Sequence, residues 1–239
     1  MTMPAVLQPT SKRYGYSTSD KINKHPGHSI NVKKERTLVV DSCTIYIIGV
    51  IHGLEREGER VRAAFRDFRP DCIALGIPAE DIDTIKKFAD EGMEFDMLPE
   101  QECFFEHLSR YGRTSVPPPD LLASYNISVE EGIPIETLDM NDEEYAEVFT
   151  KKVSLISFIR NSRRNKKLVK MEFDAPTAED FVDEWERRYN SMRQFKAIER
   201  AREKNMASSL VSLAGKYGRV LAVIPYQRFD GVVNSIEKA

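Results

Sequence analysis

The chain has 239 residues, 41% hydrophobic and 31% charged, with a formal net charge of −3. That length suits one α/β domain with a sizeable core, and the charge balance gives no global pull towards nucleic acid or a membrane. The longest apolar run falls far short of the roughly 20 residues that cross a bilayer. No secretory leader is visible, and the odd, widely spaced Cys43, Cys72 and Cys103 predict neither disulfides nor a zinc knuckle. A reducing cytoplasm is the expected setting.

Residues 1–33 are rich in Ser, Thr, Lys, Pro and His and lack apolar periodicity. They read as a flexible N-terminal arm before a domain over 34–239. Thr37 to Val40 and Thr44 to Ile51 read as strands joined by a turn at Asp41-Ser42. Leu54, Val61, Phe65 and Phe68 then fall at helical spacing, with Glu55, Glu57 and Glu59 in the opening turns and Pro70 as the stop. Cys72 to Ile77 is a short apolar strand, so strand, helix and strand predict a βαβ unit with parallel strands. Helices are expected over 80–91 and 99–111, with a short one near 120–125 after Pro117-Pro118-Pro119. A turn at Gly132 leads to a strand over 133–138 that ends at Asp139, and Asn141 is placed to cap a helix over 142–160. Thr177 with Asp180 resembles a capping box for a helix from 178. A long helix is expected over 193–216, then a strand from Arg219 to Ile224 and a short terminal helix. The pattern predicts an α/β fold: a mixed, largely parallel sheet flanked by helices, with a helical insertion.

Strand ends carry the chemistry in open α/β sheets. Here they are His52, Gly76, Asp139, and Pro225 to Arg228. His52 reads as a general base or metal ligand, against a turn histidine that is simply solvated. Arg202 lies four residues from both Ile198 and Met206, inside the apolar stripe of the long helix. A guanidinium facing a core needs a partner; the candidates are Asp139, Glu55 and a bound anion, against an arginine whose stem packs inward while its head reaches water. His25-Pro26-Gly27-His28 has a ligand-like spacing but reads as a turn in the arm. The basic run "RNSRRNKKLVK" at 160–170 reads as a solvated face, and nucleic acid is not an expected partner.

Several stretches in one order carry a resemblance: "TIYIIGVIH", "RVRAAFRDFRPDCIAL", "EEGIPIETLD", and "AREKNMASSLVSLAGKYGRVLAVI" closing with Gly231-Val232. Together they resemble the TraB/PrgY family, of the superfamily that also holds Tiki-type peptidases, ChaN-like proteins and erythromycin esterases. The resemblance spans residues 37–236. It implies an α/β fold with a hydrolytic site at the carboxyl edge of the sheet, built from two GxxH motifs, a strand glutamate and an arginine.

Gly49 and His52 keep the first GxxH, and Arg202 keeps the arginine, flanked here by Ala201 and Glu203. The strand glutamate aligns with Gly76, and the second GxxH with Pro225 and Arg228. Metal-assisted hydrolysis needs several converging ligands and a base; one imidazole remains, and a cation stands where a neutral ligand belongs. The expectation is therefore a pseudoenzyme, a TraB-like protein with a degenerate site and a binding or regulatory role. His52, Asp139, Arg202 and Arg228 would face a small anionic ligand or a peptide. No cofactor and no membrane span are expected, and a homo-oligomer is compatible with the reading. The alternative is a metal-dependent hydrolase or peptidase. It would use His52 as base or as ligand to Mn, Co or Zn, with Arg202 catalytic and Glu55, Glu80 or Asp139 standing in for the lost carboxylate.

Overall fold

The structure is a computed structural model that describes residues 34–91 and 97–238. The arm over 1–33, with its His25 and His28, lies outside the described residues. Strands β1 (Glu35–Val40) and β2 (Cys43–Val50) form an antiparallel hairpin. Asp41 turns the chain at φ 53, a left-handed conformation that Asp tolerates better than most residues. Helix α1 (Glu55–Phe68) follows, with Glu55 and Glu57 in its first turn. It ends on a left-handed Arg69 just before Pro70. Strand β3 (Cys72–Leu75) is buried throughout.

Helices α2 (Glu80–Glu91) and α3 (Pro99–Leu108) come next, and α4 (Pro119–Glu131) closes on Gly132 at φ 67. This last helix outruns the segment expected near 120–125, because its later turns lie against α1 and continue until a glycine ends them. Strand β4 (Ile135–Thr137) leads to α5 (Asp142–Lys152), which Asn141 and Glu144 open with a capping box. The helix expected over 142–160 is two helices. Val153 is extended, and Ser154 caps α6 (Leu155–Leu168) by accepting from the Ser157 N–H. Helix α7 (Ala178–Tyr189) starts at the Thr177 cap, α8 (Arg193–Leu213) is the long helix, and β5 (Arg219–Pro225) precedes α9 (Phe229–Ile236).

The five strands run in the order β1-β2-β5-β3-β4, with every pair after the first hairpin parallel. The fold is the expected α/β architecture. The last strand inserts between β2 and β3, so the βαβ pair is parallel without being adjacent. That insertion sets the carboxyl ends of β2, β5 and β3 side by side.

Alternation splits each strand between two layers. Ile45, Ile47, Ala222 and Ile224 pack under α8 and α9. Ile48, Val50, Leu75 and Val223 pack under α1, α2 and α4. A third cluster, with Ile51, Cys103, Phe173, Phe181, Trp185 and Tyr226, caps the carboxyl edge. The helical insertion thus roofs the edge where strand-end residues gather.

Candidate functional site at the carboxyl edge of the sheet

Beyond β2 the chain passes Ile51 and His52 into Gly53, whose φ of 101 suits glycine. An added Cβ there would collide with the Phe105 ring. The Gly53 carbonyl accepts from the Ser115 N–H at 2.9 Å, which pins this turn to the segment before α4. His52 is thereby brought to Asp120, and its Nδ1 lies 2.7 Å from Asp120 Oδ2. Asp120 sits in the first turn of α4 and is fully buried. Burial opposes the imidazolium, yet the charge and hydrogen bond of Asp120 outweigh it, and the His52 pKa is raised. With Nδ1 held by a carboxylate, Nε2 is the nitrogen left for other chemistry.

Arg202 finds one of its expected partners. Its Nε donates to Asp139 Oδ1 and Oδ2 at 3.1 and 3.0 Å, and its Nη2 donates to Oδ2 as well. Asp139 Oδ1 also accepts from the Met140 N–H. A second carboxylate, Glu199, stands one helical turn before Arg202. Its Oε1 is 3.6 Å from Arg202 Nη1, and its Oε2 is 2.5 Å from Arg228 Nη2. Glu199 thus bridges both arginines, in the place a bound anion was expected to take.

A cavity of about 180 Å³ joins these groups, and His52, Gly76, Arg202, Pro225 and Arg228 all line it. The strand order therefore unites residues that are far apart in the sequence. Asp139 does not reach the wall and serves Arg202 from behind. Of the stand-in carboxylates, Glu55 and Glu80 are exposed and line nothing here.

The carboxylates that do line the cavity are Asp81, Glu186 and Glu199, and with Asp120 they escaped the sequence reading. Glu186 accepts from Asn190 Nδ2 at 2.6 Å; burial and the nearby Glu199 raise its pKa. Asp81 is 3% exposed, and its Oδ2 has no hydrogen-bond partner among the described residues. Burial, then Asp142 and Glu80, push its pKa up to about 7. Phe104, Tyr145, Trp185, Tyr189 and Phe195 give the cavity an aromatic wall.

Gly76 explains itself by contact. A Cβ there would lie 2.6 Å from Pro225 Cδ and 3.0 Å from Ile224 Cα. Pro225 occupies the space through which a side chain at position 76 would leave the strand.

The divalent metal implied by the resemblance can be tested on these residues. His52 has committed Nδ1 to Asp120, and the aligned positions beside it are Gly76, Pro225 and Arg228. Among the described residues no group of three or more His, Cys, Asp or Glu is arranged to hold a metal ion. The residues present do not make the implied ligand set.

Fold and site together define an α/β protein with a roofed cavity at the carboxyl edge of a mixed sheet. Comparison of the chain with protein-family models finds no match, and comparison with curated proteins finds none.

Proposed function

We propose that this is a divergent TraB/PrgY-like protein that binds a small ligand or peptide end in the cavity without hydrolysing it. The observation that carries the reading is the contact between Gly76 and Pro225. The position that would supply a carboxylate has no side chain, and its neighbour leaves no room for one. Charge balance favours a peptide over a purely anionic molecule. Arg202 and Arg228 are already compensated by Asp139 and Glu199, while Glu186 and Asp81 add acidic groups. A ligand carrying both signs, with an apolar part for Phe104, Trp185 and Phe195, meets all of these.

Trp185 is the chain's single tryptophan and lines the cavity, so its fluorescence reports occupancy. Titration with a short-peptide mixture is expected to shift Trp185 emission saturably, and Trp185→Phe removes the signal. Glu199→Gln leaves Arg228 without its carboxylate while Asp139 still holds Arg202, and is expected to raise affinity for inorganic phosphate by about tenfold. No emission change with peptides, and no gain for phosphate in the variant, would count against a binding cavity.

A second reading is favoured by the His52–Asp120 pair. A carboxylate on Nδ1 orients the ring and supports an imidazolium, which is how a general base is held. Here His52 Nε2 would take a proton from water attacking a peptide or ester. The rate would rise as pH climbs through the raised pKa of His52 and His52 loses its proton. Hydrolysis that disappears in both His52→Ala and Asp120→Asn, with the fold intact, would establish it.

A further inference from the structure

Helix α6 presents an outward face with an unusual make-up. Leu155 and Ile156 are 73% and 75% exposed, and Ile159 is 42% exposed. Isolated exposed aliphatics are ordinary, as at Val39 and Val129; these three fall within five residues on one side of one helix. The same helix and its end carry Arg160, Arg163, Arg164, Lys166, Lys167 and Lys170, all exposed. Among the described residues none of the six makes an ion pair, and the helix itself contains no acidic residue. The opposite side, with Asn161, Asn165 and Leu168, is buried and fixes which face looks outward.

We propose that the outer face of α6 is a docking surface for an anionic phospholipid bilayer. A bilayer interface answers both halves of the face. Its acyl boundary takes Leu155, Ile156 and Ile159, and its headgroup charge takes the arginines and lysines. The 14 residues of α6 lie in the membrane plane. Other occupants answer only one half. Nucleic acid matches the cations and leaves three aliphatic side chains without a purpose. A second copy of this chain would set like charge against like charge across a two-fold axis. The arm over 1–33 carries Lys12, Arg13, Lys21, Lys24 and Lys33 against Asp20 alone, so it repels this face instead of complementing it. The surface stands apart from what the cavity binds, although Asn161 places the inner side of the same helix on the cavity wall.

The test is co-sedimentation of the full chain with phosphatidylserine–phosphatidylcholine vesicles, beside pure phosphatidylcholine vesicles. Binding is expected to the anionic vesicles alone. Leu155→Ser with Ile156→Ser and Ile159→Ser is expected to weaken it by about tenfold or more. Arg163→Glu with Lys166→Glu and Lys167→Glu is expected to weaken it by roughly a hundredfold. Both sets change exposed side chains, and matching far-ultraviolet spectra check that they fold. Absence of binding to anionic vesicles overturns the proposal. Binding indifferent to the serine set and competed by single-stranded RNA overturns it in favour of a nucleic-acid face. A dimer that dissociates in the serine set overturns it in favour of self-association.

Discussion

At position 76 a glycine lies under the ring of Pro225, and the two fit only as a pair. Adding a Cβ alone forces backbone or ring to move, so Gly76→Ala is expected to cost about 1–3 kcal/mol. Pro225→Ala removes Cδ and should recover much of that loss. Urea denaturation of the two single variants and the double variant measures the coupling; strict additivity would contradict the close contact. Asp81 supplies a pH test. Its folded pKa is about 7, against an ordinary value of 3.8. As pH rises between these values the unfolded chain ionises while the folded one stays protonated, so stability falls. Above pH 7 the penalty is complete. Asp81→Asn is therefore expected to gain up to about 4 kcal/mol at pH 8 and little at pH 3.5. An equal change at both values would contradict a buried, protonated acid.

At the scale of elements, local chemistry was readable where it is local. The Asn141 and Thr177 caps, the Pro70 stop and the apolar stripe of α8 are written in adjacent residues. The break between α5 and α6 was also written, as Lys151-Lys152 at one helix end and Ser154 one residue beyond Val153, but helical periodicity on both sides masks it. Ser154→Ala removes the acceptor for the Ser157 N–H and is expected to cost about 1 kcal/mol in thermal or chemical unfolding. No loss would mean that packing alone sets the break. The buried partners were not readable. Arg202 in an apolar stripe announces that a partner exists, and Asp139 was among the candidates. Nothing in the chain announces that Asp120 holds His52, or that Glu199 spans two arginines. Those pairings depend on how α4 and α8 meet the sheet edge, which periodicity does not encode.

At the scale of the whole molecule, one topological feature makes the site. β5 enters the sheet between β2 and β3, so three strand ends meet and the helical insertion roofs them. The strand-end residues His52, Gly76, Pro225 and Arg228 meet in one cavity, at the edge where open α/β sheets place their ligands. The order of the strands is a long-range property that one sequence leaves open. With the edge assembled, the proposed binding role and the hydrolytic alternative part on whether the cavity turns anything over. The direct measurement is turnover of a mixed panel of peptides and esters by the untagged protein, with and without added Mn, Co or Zn, against His52→Ala. The same background rate is expected in both proteins under every condition. Turnover in the parent protein that His52→Ala abolishes would contradict it.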